Sequence, residues 1–129
     1  MREKIAILGS TGSVGQTLLK VIDKNKKDYQ IVLLTADKNY KLLIKQAIKF
    51  KVKNIIIKNK KIYESLKKSK IYKSINILKD FDHIHKILGK KIDYVMSSIS
   101  GLDGLKPTLK IIKHTKKIAI ANKESIICA

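Results

Sequence analysis

The chain contains one cysteine, one proline and no tryptophan in 129 residues, with only five tyrosines and two phenylalanines. Cys128 has no second cysteine to pair with, which excludes an intrachain disulfide and points to a reducing compartment, so a cytoplasmic protein is expected. With six glycines and one proline the chain is neither collagenous nor a low-complexity linker. No uninterrupted apolar run approaches the roughly 20 residues that cross a bilayer. The segment Met1 to Leu8 carries no cleavable signal-peptide pattern, and no membrane partner is expected. Acidic residues are also few, 10 against 29 basic ones, for a formal net charge of +19.

That charge attracts nucleic acid, anionic membrane or phosphorylated metabolites at long range and says nothing about the fold. Sequence-specific nucleic-acid readers depend on arginine forks and stacked aromatics. Here Arg2 is the only arginine, and lysine is abundant together with isoleucine and asparagine, as an AT-rich coding sequence produces. Lysines in such number usually form solvated faces. No specific nucleic-acid partner is expected, only weak, salt-sensitive association with duplex DNA. A hydrophobic fraction of 44% with 30% charged residues fits one soluble globular domain over residues 1–129.

Short β-branched runs alternate with longer amphipathic, lysine-studded segments. The runs are Ile5 to Leu8, Ile31 to Ala36, Ile55 to Ile57, Ile75 to Leu78, Tyr94 to Met96 and Ile118 to Ala121. Between them, Val14 to Ile22, Tyr40 to Phe50, Ile62 to Lys68, Phe81 to Leu88 and Leu105 to Ile112 carry apolar residues at helical spacing. Strands that read as nearly continuous Ile, Val and Leu are those buried on both faces of a parallel sheet. The expected fold is therefore α/β, a Rossmann-type doubly wound parallel sheet of about six strands in the order 3-2-1-4-5-6. Its ligand crevice would lie at the carboxyl ends of strands 1 and 4. Pro107 falls in the first turn of the fifth helix, where its missing N–H costs nothing.

Gly9-Ser10-Thr11-Gly12-Ser13-Val14-Gly15 follows the first strand directly and opens the first helix, close to the dinucleotide-binding fingerprint. Gly9 permits a tight turn, Gly12 lets backbone approach a pyrophosphate, and Gly15 lets helix and strand pack closely. The helix N-terminus offers unpaired N–H groups and a positive dipole end to phosphates, with hydroxyl donors on Thr11 and Ser13. No Gly-Lys-Ser/Thr ends the loop, which excludes a Walker motif. A Gly/Ser turn that merely joins strand to helix is the plainer alternative, and the loop's place at the end of the first strand of a six-strand pattern favours nucleotide binding.

About 20 residues past that loop, where a Rossmann domain reads the adenosine ribose, stands Ala36-Asp37-Lys38-Asn39. Two signals conflict. A carboxylate there usually accepts from both ribose hydroxyls and repels a 2′-phosphate, whereas Lys38 and Asn39 would pair with that phosphate. The balance leans to NADP, with Asp37 as a simple turn residue and Lys38 as one more surface lysine still open. Further on, the small-residue loop Ser97 to Leu109 leaves room for a flat ring at the same sheet edge. The sixth strand ends in Ala121-Asn122-Lys123-Glu124-Ser125, an amide, an ammonium and a carboxylate side by side. Such a trio can orient a substrate and bear on proton transfer, and it equally suits a polar strand-to-helix junction with Asn122 as N-cap and Glu124 in the first turn.

Taken together, Gly9 to Gly15, Lys38-Asn39, Gly101-Leu102-Asp103-Gly104-Leu105-Lys106-Pro107-Thr108-Leu109 and Ala121 to Ser125 closely resemble the 1-deoxy-D-xylulose 5-phosphate reductoisomerase family. The resemblance runs from Lys4 to Ala129. Its later two blocks are specific at this spacing, whereas the glycine loop is shared by many reductases. The resemblance implies an NADPH-binding N-terminal domain of an enzyme that rearranges 1-deoxy-D-xylulose 5-phosphate and reduces the aldehyde to 2-C-methyl-D-erythritol 4-phosphate, an isoprenoid-precursor step. By position, it implies that Thr11, Gly12, Ser13 and Val14 contact the cofactor phosphates and that Lys38 and Asn39 meet its adenosine end; Asp37 is a cofactor-binding candidate only by its place after the second strand. Asn122 and Glu124 would lie near the nicotinamide, and Lys123 on the sugar phosphate substrate. The family usually has a small residue where this chain has Asp37, which bears on 2′-phosphate recognition.

Family members are several times longer, and the resemblance implies that the acidic ligands of their divalent metal, Mg or Mn, together with the substrate-phosphate loop, flap and C-terminal domain, follow the position of Ala129. The chain alone is thus expected to bind nucleotide without turning over, and a homodimer is expected of the full-length enzyme. The resemblance gives no metal ligand within the chain: the spacing of His83 and His85 equally suits a surface helix or loop, and His114 has no better claim. Cys128, in Ile126-Ile127-Cys128, reads as a small apolar residue and not a nucleophile. The rival expectations are a non-catalytic nucleotide-binding module and a basic nucleic-acid-associated protein.

Overall fold

Each apolar run becomes a strand, and each described amphipathic segment becomes a helix that carries the chain back to the same starting edge of the sheet. The computed structural model describes residues 2–69, 73–82, 84, 92–97 and 115–120, the last of these by backbone alone. The elements are β1 (Glu3–Leu8), α1 (Ser13–Asp23), β2 (Tyr29–Ala36), α2 (Tyr40–Lys49), β3 (Asn54–Ile57), α3 (Lys60–Ser69), β4 (Asn76–Leu78), β5 (Ile92–Ser97) and β6 (Thr115–Ile120). All neighbouring strands are parallel, and together they form one six-stranded sheet. The segments Phe81 to Leu88 and Leu105 to Ile112, expected as helices, lie mostly or wholly outside the described residues.

The fold class is as expected and the strand order needs one correction. The sequence predicts 3-2-1-4-5-6, whereas the sheet runs β4-β3-β2-β1-β5-β6. The chain takes one more step outward through β4 before crossing back to lay β5 beside β1. The physical reason is visible in the strands themselves. β4 is three residues long with an exposed Asn76, and its pairing is helped by Asn76 Nδ2 donating to Asn54 Oδ1 at 3.0 Å, a combination suited to an edge. β5, with Ile92 and Val95 almost wholly buried, belongs in the interior of the sheet. With β4 set aside, the other five strands follow the Rossmann order 3-2-1-4-5 counted afresh, and the crevice falls between β1 and β5 instead of strands 1 and 4.

Two apolar layers sandwich the sheet. On one face Ile5, Ile7, Ile31, Leu34, Ile55 and Ile57 pack against Leu19 and Ile22 of α1, Leu43, Ile44 and Ala47 of α2, and Leu66 of α3. On the other, Ala6, Leu8, Leu33, Ile56, Ile92 and Val95 pack with Ile84. Each fully buried isoleucine or leucine contributes about 1.5–3 kcal/mol by leaving water. The pairing of β1 with β2 skips a residue, Ile5 facing Ile31 and Ala6 facing Leu33. That bulge at Val32 puts Ile31 and Leu34 on one face despite their odd spacing.

α2 ends in a Schellman motif: Val52 N–H donates to Ala47 O at 2.8 Å and Lys51 N–H to Ile48 O at 3.3 Å. Lys51 sits there at φ 56°, a left-handed position that glycine adopts without strain. Lys51→Gly is therefore expected to stabilise the chain by about 1 kcal/mol. A melting curve for the variant that coincides with the wild type would contradict this.

Candidate functional site

β1 delivers the chain to the carboxyl edge of the sheet at Leu8, and Gly9 turns it at φ 79°. The turn is anchored on the next strand. Gly9 N–H donates to Thr35 Oγ1 at 2.9 Å and Ser10 N–H to Thr35 O at 3.0 Å, which carries the β1–β2 ladder past the end of β1. α1 then starts at Ser13, with Gln16 N–H donating to Gly12 O at 2.9 Å as its first helical bond, while the Gln16 amide holds Thr11 O at 2.8 Å.

The three glycines of this loop do different work. A Cβ on Gly15 would stand 2.6 Å from both Gly9 O and Ser10 Cα, so α1 packs against the loop only because residue 15 has no side chain. A Cβ on Gly12 would meet only Gly9 O, at an ordinary 3.6 Å, and Gly12 has φ −75° and ψ 172°, which any residue adopts. Among the described residues nothing requires glycine at position 12. Its bare backbone faces outward, where a ligand can approach.

The start of α1 is also chemically open. Its N-cap is Gly12, which makes no side-chain cap, and there is no acidic residue in its first turn. The N–H groups of Ser13, Val14 and Gly15 precede the first helical bond and carry the positive end of the helix dipole. Ser13 and Val14 are exposed beside them and Thr11 is half-buried. By contrast, α2 is capped by Asn39 Oδ1, which accepts from Leu42 N–H at 3.3 Å, and α3 by Asn59 Oδ1, which accepts from Ile62 N–H at 3.1 Å.

Asp37, Lys38 and Asn39 form the exposed turn between β2 and α2, at the same edge of the sheet as the glycine loop. Tyr40 N–H donates to Lys38 O at 2.7 Å across Asn39, whose φ −77° and ψ 66° make an inverse γ-turn. Lys58 N–H donates to Ala36 O and Asn59 N–H to Asp37 O, both at 3.0 Å, so the turn after β3 lies alongside and brings a second lysine to this edge. The structure thus places Thr11 through Val14 in one turn of chain and Asp37 through Asn39 on the neighbouring strand end. Asn122, Lys123 and Glu124, the loop 98–109, His83, His85, His114 and Cys128 lie outside the described residues. Ser97 and Ile120, the last described residues before those two C-terminal segments, pair with each other, and Ser97 also pairs with Leu8. Among the described residues no group of three or more His, Cys, Asp or Glu could hold a metal ion, and no helix is long and apolar enough to cross a membrane.

The sequence did not single out Gln46. It is buried on α2, where its amide accepts from Ser10 Oγ at 2.8 Å and donates to Ser10 O at 3.0 Å. Its signal was helical spacing: with Leu43, Ala47 and Phe50 it falls on the apolar stripe of α2, where a polar residue has a reason to be.

The family model for 1-deoxy-D-xylulose 5-phosphate reductoisomerase matches residues 5–129. The chain belongs to this family. The reductoisomerase of Pelagibacter ubique is 55% identical over 131 residues, covering 98% of this chain and 33% of that protein. The reductoisomerase of Zymomonas mobilis, solved in complex with NADPH, superposes with a TM-score of 0.87 at 33% identity, over 100% of this chain and 34% of that one. A further reductoisomerase, solved with NADPH, fosmidomycin and magnesium, gives 0.83 at 30% identity over 97% of this chain and 31% of that one. The chain spans about a third of the length of the reductoisomerases it matches.

Proposed function

We propose that residues 1–129 are the NADPH-binding domain of a 1-deoxy-D-xylulose 5-phosphate reductoisomerase, a cytoplasmic enzyme that makes 2-C-methyl-D-erythritol 4-phosphate for isoprenoid precursors. The observation that carries this is the open N-terminus of α1, uncapped and without an acidic residue in its first turn, beneath a Gly12 whose missing side chain serves no packing need among the described residues. A pyrophosphate fits there: the free N–H groups of Ser13 and Val14 and the hydroxyls of Thr11 and Ser13 donate to its oxygens, and the helix dipole favours its charge. The NADPH complex of the 33% identical Zymomonas enzyme supports the assignment.

At the other end of the nucleotide, the Lys38 ammonium pairs with the 2′-phosphate. The Asn39 side chain, its Oδ1 engaged as the cap of α2, has Nδ2 left to donate. Asp37 is the one residue of this turn that opposes the 2′-phosphate. Asn122 and Glu124 are assigned to the nicotinamide end and Lys123 to the sugar phosphate. Bound NADPH supplies the hydride, and the fold positions it. Magnesium accompanies a related enzyme, and the described residues offer it no ligand cluster. The whole enzyme is assigned as a homodimer.

Titrating the chain with NADPH while following backbone amide resonances tests this. Gly12, Ser13, Val14, Lys38 and Asn39 are expected to shift together, and Asn54 and Asn76 at the far edge of the sheet to stay still. Shifts that spare the glycine loop would remove the assignment.

A further inference from the structure

We propose that Gln46 is the positioning residue of the phosphate-binding loop: it aims the Thr11 N–H outward and makes the loop and the adenosine-reading turn one rigid unit. This rests on the nucleotide site assigned above and adds a residue to it that touches no ligand.

Ser10 is wholly buried, and all three of its polar atoms are engaged. Its N–H goes to Thr35 O on β2, while its Oγ and its carbonyl both go to the single amide of Gln46, 36 residues away. Backbone pairing with Thr35 already ties the loop to the sheet, so the Gln46 amide is not needed for that attachment. Nor does stability alone call for it, because a buried polar pair often gives no more than well-packed apolar groups of the same size. What the amide adds is direction. A trans peptide is planar, with its C=O and N–H on opposite sides. Holding Ser10 O inward on Gln46 Nε2 therefore turns the N–H of Thr11, the next residue, away from the core and toward the open start of α1.

The same helix carries the second half of the site. Gln46 lies seven residues after Asn39, about 10 Å along α2 at 1.5 Å per residue. Lys38 and Asn39 lead into that helix, so the amide clasp fixes the separation between the turn that reads the 2′-phosphate and the loop that reads the pyrophosphate. A loop held by Thr35 alone would hold its height on the sheet and lose its angle to α2.

The test compares Gln46→Met and Ser10→Ala with the wild-type chain, using NADPH and adenosine 2′-monophosphate, which has the adenosine end and no pyrophosphate. Gln46→Met is expected to weaken NADPH binding about tenfold, the scale of one buried polar group left unmatched, with adenosine 2′-monophosphate affected less than about twofold. Ser10→Ala, which retains the Gln46 Nε2 bond to Ser10 O, is expected to lose only about threefold for NADPH. Equal losses for both ligands would mean a merely structural residue, and unchanged NADPH binding would mean none; either result overturns the proposal. Amide hydrogen exchange supplies a readout without ligand: Ser10 N–H should exchange faster in Gln46→Met while Ile7 N–H is unchanged, and unchanged exchange at Ser10 also overturns it. Failure of the wild-type chain to bind NADPH would instead remove the functional assignment, with the exchange result still deciding whether Gln46 holds the loop.

Discussion

Gly15→Ala is expected to lower the melting temperature by several degrees, whereas Gly12→Ala leaves it near the wild-type value and weakens NADPH binding about tenfold or more. The two substitutions add the same methyl group only three residues apart, and their effects differ because the surroundings differ. At position 15 the new carbon would stand 2.6 Å from Gly9 O and Ser10 Cα and 2.8 Å from Ser10 C, all backbone atoms that cannot swing aside. Forcing α1 off the loop costs about 1–3 kcal/mol, against which the better helix propensity of alanine returns at most about 1 kcal/mol. At position 12 the nearest atom is 3.6 Å away and the backbone is extended, so the fold accepts the methyl group. The methyl group then occupies the space through which a pyrophosphate would reach the N–H groups of Ser13 and Val14. Thermal melts and titrations of the two variants separate these effects. NADPH binding by Gly12→Ala at wild-type strength would mean that the phosphates do not approach over residue 12.

Asp37→Gly is expected to raise the preference for NADPH over NADH about tenfold, chiefly by tightening NADPH. The Asp37 carboxylate is exposed in the turn beside Lys38, and among the described residues it has no ion-pair partner within 4.0 Å. Were a 2′-phosphate dianion to bind about 7 Å from it, at an effective dielectric constant of about 40, the carboxylate would oppose it by roughly 2 kcal/mol without salt and about 1 kcal/mol at physiological ionic strength. Removing the carboxylate leaves Lys38 and the neighbouring Lys58 to act unopposed. The turn itself should survive, because Asp37 is held through its carbonyl, which accepts from Asn59 N–H at 3.0 Å. The gain should shrink as salt screens these exposed charges. A selectivity that does not move would place the carboxylate away from the 2′-phosphate and favour its use on the ribose hydroxyls.

The six strands were legible because each is a short apolar run, those of β1, β2 and β3 buried on both faces, and α1, α2 and α3 because their apolar residues recur at helical spacing. The strand order was not legible to the same degree. Periodicity marks Ile75 to Leu78 as a strand, and only its shortness and the exposed Asn76 mark it as an edge, so the extra outward step was missed. The bulge at Val32 is hidden for a related reason: in the unbroken run Ile31-Val32-Leu33-Leu34 any register looks equally apolar.

In the glycine loop the sequence assigned all three glycines their places, and the structure separates the two that the fold needs from the one that it does not. Ser10 and Gln46 escaped notice because a serine in a Gly/Ser loop and a glutamine among lysines both read as solvated. Only the packing of α2 on the sheet brings them together, across 36 residues of chain.

In the function proposed above, the uncapped start of α1 and the Lys38-Asn39 turn form one NADPH site. Calorimetric titration of the chain with NADPH and, separately, NADH at two salt concentrations tests it most directly. Saturable binding of NADPH is expected, stronger than that of NADH, with a preference that narrows at the higher salt as the 2′-phosphate contact is screened. Equal or stronger binding of NADH, or no binding of either nucleotide, would contradict it.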